Sequence, residues 1–403
     1  MVAVEARPTC AVRTVEEAVE HVHAICFKTG PPRRVGVELE WTVQHHTDPH
    51  RSLNPDHLRA ALAEHAPPTL DPRTAAQPLP QGGVVTVEPG GQVEISTPPA
   101  DSLATLLART TADVDYLTER LARHGLVLGS SAIDPYRLPR RILHTPRYDA
   151  MAAAFARHGP SGQVMMCATA ATQVCLDAGE PGQLAARWAT LHALGPPLLA
   201  LFANSPRHAG DDTGWASARM RAWLRTDPPR TWPVGLAPDP ATAWARYALA
   251  APLLCVRHGD PPWHPAPGLS FADWVDGGLR PPPTLDDLEY HLGTLFPPVR
   301  PRGYVEVRYL DAQPPAQWFA PVAVLAALLA DDATTGAARE LAAPVAGAWT
   351  TAAWRGLADP AVRAAAAAVA DLSLRHLDRT DLSRPVRDAV AEIVSRRLAG
   401  GGE

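Results

Sequence analysis

Arg34-Val35-Gly36-Val37-Glu38-Leu39-Glu40-Trp41 decides how the rest of the 403-residue chain is read. Apolar residues alternate with glutamates, the period of a β-strand, so Glu38 and Glu40 share one face and Val37 and Leu39 the other. Two carboxylates so placed repel by about 3 kcal/mol at an effective dielectric of about 20 and a separation of about 5 Å. If the pair is buried, it needs a proton, a cationic side chain or a metal ion. If it is exposed, it is an edge strand with a solvated acidic face. The choice between these is made downstream, where the pattern returns twice.

The second occurrence is Val84-Val-Thr-Val-Glu88-Pro-Gly-Gly-Gln-Val-Glu94-Ile-Ser96. It reads as strand, Pro-Gly-Gly turn and strand, a hairpin whose second arm carries Gln92 and Glu94 opposite Val93 and Ile95. The turn glycines allow a ligand close to the backbone. The third is Arg302-Gly-Tyr304-Val-Glu306-Val-Arg308-Tyr-Leu-Asp311, with Tyr304, Glu306 and Arg308 on one face. A further strand pattern over 163–177 puts Gln173, Cys175 and Asp177 on one side. Strands with one polar face fit an antiparallel sheet that lines a site on that side. Several carboxylates converging there require cations. Hard oxygen donors select Mg²⁺ or Mn²⁺, and Mg²⁺ brings substrate phosphates with it.

Composition narrows the chemistry. A formal charge of −5 offers no electrostatic case for nucleic acid. Lys28 is the sole lysine, and no P-loop pattern is present, so phosphate binding must rest on arginine, metal or backbone N–H groups. The cysteines Cys10, Cys26, Cys167, Cys175 and Cys255 are scattered without a CxxC. The first residues lack the apolar core of a leader, and no apolar run is long enough to span a membrane, so a reducing cytoplasm is expected. His45, His46, His50 and His57 fall in a polar, proline-rich stretch, where a loop with incidental histidines is the better reading than a zinc site.

Helices are expected from Thr14, a capping-box start, to about Phe27, over 101–124, and over 181–201. Arg137–Tyr148 reads as an arginine-dense loop. Residues 217–230 hold Arg219, Arg221, Arg225 and Arg230 with Trp223, an anion-binding segment in which Trp and Met are packing residues. From 314 onward the chain reads as helices near 316–330, 335–356, 359–374 and 383–399. The bottom-up reading is a metal-dependent enzyme handling a phosphorylated substrate.

Taken together, Gly36-Val-Glu38-Leu-Glu40, Glu88-Pro-Gly-Gly-Gln-Val-Glu94-Ile-Ser96, Met165-Met166, Thr172-Gln173-Val-Cys-Leu-Asp177, Leu201-Phe-Ala-Asn-Ser-Pro206 and Tyr304-Val-Glu306-Val-Arg308 resemble the glutamate–cysteine ligases. The spacing is similar to the plant and proteobacterial branch, and the compact Arg/Ala-rich chain to the actinobacterial members that serve ergothioneine biosynthesis; glutathione is the other destination of the same product. The resemblance covers about 34–311. It implies an α+β fold: a curved antiparallel sheet similar to the glutamine synthetase catalytic domain, backed by helices. Residues 1–314 form the catalytic domain and 315–403 a helical region packed on it. It implies that L-glutamate, ATP and L-cysteine react through γ-glutamyl phosphate to give γ-glutamylcysteine. The residues at the family's metal positions are Glu38, Glu40, Glu88, Glu94 and Glu306, with Gln173 an additional ligand or ATP contact and Mg²⁺ the expected ion. The resemblance implies that Arg308 would face the transferring phosphoryl group or acyl phosphate, and that Arg219, ahead of Arg221 and Arg225, would bind the glutamate α-carboxylate or a phosphate. Tyr148, Met166 and Trp223 are the candidates for the cysteine pocket. A ligase for another amine and a non-catalytic metal- or nucleotide-binding relative are the alternatives.

Overall fold

The structure, a computed structural model, describes residues 11–73, 75–257 and 261–400. The N-terminal stretch read for a leader, and Cys10, lie outside them. Six antiparallel strands form the central sheet: β1 (Val35–Trp41), β2 (Val84–Val87), β3 (Val93–Ser96), β4 (Ala171–Leu176), β5 (Val299–Pro301) and β6 (Val305–Asp311), in the order β2-β3-β1-β4-β6-β5. The alternation in β1 has the consequence its period demands. Val37, Leu39 and Trp41 are almost fully buried beside Val93, Ile95, Val174 and Val307 in one core. Helices Leu103–Ala122 and Gly195–Leu201 pack against the sheet. The opposite face carries the glutamates. Register fixes their neighbours: Glu40 lies across from Glu94, Glu38 across from both Ser96 and Gln173, and Glu306 across from Cys175 and Arg300.

Helix boundaries follow capping chemistry. Thr14 accepts from the Glu17 N–H to open Val15–Cys26, and Ser102 accepts from the Thr105 N–H to open Leu103–Ala122. Four expectations are corrected. The stretch 163–177 is not one strand: Ser161–Ala168 is a helix that follows Pro160, and only Ala171–Leu176 extends. Met165-Met-Cys-Ala168 has no alternation and consists largely of good helix formers. The helix over 181–201 is two, Leu184–Ala193 and Gly195–Leu201, divided at Gly195-Pro196-Pro197. The helix over 335–356 breaks at Pro344 and Gly347 into Asp332–Ala342 and Trp349–Arg355. Arg137–Tyr148 is a loop only to Thr145, whose hydroxyl caps the helix Pro146–Ala156.

The remaining C-terminal helices, Phe319–Leu328, Pro360–His376 and Arg384–Leu398, share the main core. Phe319–Leu328 is apolar almost all round, as a fully enclosed helix must be. Trp349 reaches back so tightly that a Cβ on Gly195 would lie 1.9 Å from its ring. Asp381 accepts from the Ser102 hydroxyl and, at 3.1 Å, from the Ala104 N–H at the start of Leu103–Ala122. Among the described residues no single helix is long and apolar enough to cross a membrane.

Candidate active site

Two cavities open on the glutamate face. The one over the sheet centre measures about 520 Å³ and is lined by Glu38, Glu40, Glu88, Glu94, Gln173 and Arg308, among others. The second, about 980 Å³, sits at the start of β1 and holds Lys28, Arg33, Arg34, Cys175 and Tyr304. Glu38 lines both.

Four of the glutamates form an acidic half. Glu40 accepts from the Gln173 amide at 2.6 Å and the Ala171 N–H at 2.9 Å. Glu94 accepts from Thr86 at 2.7 Å and Ser96 at 3.2 Å. Burial, and then the neighbouring carboxylates, push all four acids up to about 7: Glu306 and Glu94 act on Glu38, Glu88 on Glu40, Glu94 on Glu88, and Glu40 on Glu94. Such a set of hard oxygen donors, short of positive charge, fits divalent cations of the Mg²⁺ or Mn²⁺ class.

Glu306 has the opposite surroundings. It is fully buried, yet Arg300 grips it with two hydrogen bonds of 2.6 and 3.2 Å, and Arg308 adds an ion pair at 3.1 Å. Burial works to raise its pKa, but Arg300 and then Arg308 outweigh it and hold the carboxyl at about 2. Gln173 joins the halves, donating to Glu40 while its amide oxygen accepts from Arg308. Cys175 offers its sulfur within 4.8 Å of carboxylate oxygens of Glu38 and Glu306, but burial, then Glu306, raise its thiol well above the ordinary value and keep it protonated.

The structure thus brings Glu38, Glu40, Glu88, Glu94, Glu306, Gln173 and Arg308 together. It does not bring Arg219 or Arg221 to either cavity wall. Arg219, 1% exposed, donates to the Arg308 carbonyl at 2.7 Å, and Arg221 lies over the Trp215 ring. Tyr148, Met166 and Trp223 line the smaller cavity with Met151, Met165 and Phe296. The turn glycines serve the chain itself: a Cβ on Gly90 would meet the Cys167 carbonyl oxygen at 2.0 Å, so no ligand occupies that side. Among the described residues no three histidines gather ligand atoms closely enough to share a metal.

Arg147, Arg300, Arg302 and Tyr290 also line the smaller cavity and were not singled out from sequence. For Arg300 a signal existed. Val299-Arg-Pro-Arg-Gly-Tyr-Val-Glu306 is a hairpin around Gly303, which has φ +80°, and its register sets Arg300 opposite Glu306. Arg147 and Tyr290 come from helices distant in sequence, and no local pattern marks them.

Comparison with known proteins identifies the family. Residues 34–401 match the model of the family described as glutamate–cysteine ligase family 2. The chain is 42% identical over 374 residues to the glutamate–cysteine ligase EgtA of Mycolicibacterium smegmatis, covering 89% of this chain and 84% of that protein. It is likewise 42% identical over 353 residues to EgtA of Mycobacterium tuberculosis H37Rv, covering 85% and 79%. A solved glutamate–cysteine ligase from Francisella tularensis, in complex with AMP, superposes with a TM-score of 0.53 over 93% of this chain and 83% of that one. At 14% identity it attests to the fold.

Proposed function

The chain belongs to glutamate–cysteine ligase family 2, and from that membership we propose that the two cavities are halves of one ligase site meeting at Glu38. The protein is an ATP-dependent glutamate–cysteine ligase. The γ-carboxylate of glutamate attacks the γ-phosphorus of ATP, the bond to the ADP oxygen breaks, and γ-glutamyl phosphate forms. The cysteine amine then attacks the acyl carbon, inorganic phosphate leaves, and the amine gives up its proton. The product serves ergothioneine biosynthesis in this reading.

The larger cavity takes the nucleotide. Its wall carries Lys28, Arg33 and Arg34 beside the acids Glu38, Asp101 and Asp177, so cations for polyphosphate oxygens are at hand there. The smaller cavity takes the two amino acids. Glu38, Glu40, Glu88 and Glu94 would hold Mg²⁺, with Glu306 at the edge of the set and its oxygens shared with Arg300 and Arg308. Ions held by these residues would supply neutralisation of polyphosphate charge, the main requirement of phosphoryl transfer. Arg308, oriented by Glu306 and Gln173, faces the transferring phosphoryl group. Arg147, which donates to the Gly293 carbonyl at 2.8 Å and stacks on Tyr290, supplies a cation for a substrate carboxylate. Met151, Met165, Met166, Tyr148 and Trp223 offer polarizable contacts for a thiol side chain. Residues 315–403 act as a helical buttress rather than a second catalytic unit.

The observation that carries the proposal is the acidic half: four carboxylates on one sheet face, Glu40 and Glu94 buried and Glu38 and Glu88 half-buried, that repel one another and adjoin a cavity whose wall carries Lys28, Arg33 and Arg34. ADP release is measured with Mg²⁺-ATP and glutamate, with and without cysteine, and the product is identified by mass. Cysteine-dependent ADP with γ-glutamylcysteine is the expected result. ADP that appears only when another amine replaces cysteine would move the nucleophile assignment, and no ADP with any amine would overturn the ligase reading.

A further inference from the structure

β6 carries one residue more than its partner. Val307 lies across from Val174, but Leu310 lies across from Thr172, so Arg308 and Tyr309 together oppose Gln173. Such a bulge re-aims a side chain and frees backbone groups from the ladder. The Arg308 N–H donates to the Pro298 carbonyl at 2.8 Å. The Arg308 carbonyl is taken by the guanidinium of Arg219 at 2.7 Å.

Arg219 is itself held from behind. Its partner Asp311 is fully buried and lies 3.7 Å from it. Asp311 also accepts from Ser205 at 2.7 Å, Ser217 at 2.8 Å and the Asn204 N–H at 2.9 Å. The Arg219 N–H donates to Ser205 at 3.2 Å, so side chain and backbone are fixed to one cluster. Arg219 and Arg308 also both lie near the Trp223 ring, with guanidinium carbons 5.4 and 5.5 Å from its centroid, and Trp223 lines the smaller cavity.

We propose that Arg219 is a positioning residue: with Asp311 it locks the bulge so that Arg308 and Trp223 face the reacting groups, and it touches no substrate. The inference rests on the role given above to Arg308. Lysine could not replace Arg219, because one planar fork spans the Arg308 carbonyl, the Asp311 side and the Trp223 ring together.

The test uses the full chain with Mg²⁺-ATP. Arg219→Gln, Arg219→Lys and Asp311→Asn are made alone and in an Arg308→Lys background, and glutamate binding is measured by calorimetry beside steady-state kinetics. We expect each single variant to lower kcat at least about tenfold while KM and Kd for glutamate stay within about threefold. In the Arg308→Lys background the same changes should cost less than about threefold more, because the two sites act as one unit. A rise of about tenfold or more in glutamate Kd with kcat retained would make Arg219 a substrate contact and overturn the inference. Full additivity with Arg308→Lys would overturn it equally. Unchanged kcat in Arg308→Lys alone removes the role of Arg308 and this inference with it, an outcome visible before any Arg219 variant is read. Where Arg219→Gln yields no folded protein, Arg219→Lys, which keeps the charge beside Asp311, is judged by the same outcomes.

Discussion

Glu94 and Glu306 stand on the same face of one sheet, 9% and 0% exposed, and their carboxyls are driven in opposite directions, up to about 7 and down to about 2. Burial acts on both in the same sense, and the neighbours decide. Glu94 meets Glu40, Thr86 and Ser96, whereas Glu306 meets two guanidiniums. The half around Glu306 is complete as folded. The half around Glu94 is a set of mutually repelling carboxyls that protons, or the cations proposed above, would neutralise. In the proposed site the two would serve different ends: a rigid cationic arm whose position does not depend on substrate, and a set of acids whose mutual repulsion would favour metal binding.

The largest effect should come from breaking the complete half. Glu306→Gln strands two buried arginines and should lower stability by about 3–5 kcal/mol in denaturant unfolding at neutral pH. Glu94→Gln keeps the oxygen that accepts from Thr86 and removes repulsion. In metal-free protein it should leave stability unchanged or higher, while abolishing most turnover. Equal losses in the two variants would break the comparison.

A smaller effect separates the halves by pH. Glu38, Glu40, Glu88 and Glu94 have folded values near 7, above the ordinary 4.5, so the stability they lend is full below about 4.5 and is lost as pH rises through 7. Glu306, near 2, contributes stability above about 4.5 that is lost as pH falls through 2. Metal-free protein should therefore be most stable at weakly acidic pH. Mg²⁺ at a hundredfold excess over its Kd should add about 2.7 kcal/mol at about pH 8. It should add much less at about pH 5.5, where protons hold the ligands. Thermal melts with EDTA or Mg²⁺ at both pH values check this, and an equal gain at both would count against the acidic half as the metal site.

The smallest effect calibrates the first. Glu392 and Arg396 pair at 3.0 Å on an exposed helix face, and Glu392→Gln should cost less than about 0.5 kcal/mol in the same unfolding experiment. A loss approaching that of Glu306→Gln would mean that burial is not what separates these pairs.

The legible part of this fold is the part with a period. Alternation alone put Val37, Leu39 and Val307 in the core and Glu38, Glu40 and Glu306 on the working face, because a strand gives each residue one of two sides. The helices from 314 onward are also readable, apart from the break at Pro344 and Gly347, whereas Leu285–Leu292 is not. What the sequence concealed was depth and pairing across distance. Arg219 lies two residues past the Ser217 cap in an arginine-rich helix, where a solvated or ligand-binding side chain is the natural reading. Its burial comes from Asp311 and the Arg308 carbonyl, both about ninety residues away. Arg147 and Tyr290 meet only because the helices Pro146–Ala156 and Leu285–Leu292 converge on one rim. The bulge in β6 has no glycine to announce it.

The position of Lys28 has a practical consequence. It is the one side-chain amine in the chain, exposed on the wall of the larger cavity beside Arg33 and Arg34. Apart from the α-amine, succinimidyl dyes, amine-coupled sensor chips and lysine cross-linkers have a single target, and it stands on the wall of the cavity proposed to take the nucleotide. Immobilising or labelling the protein through amines would load a reporter onto that entrance or obstruct it, so attachment chemistry for this enzyme belongs on an engineered terminal tag instead.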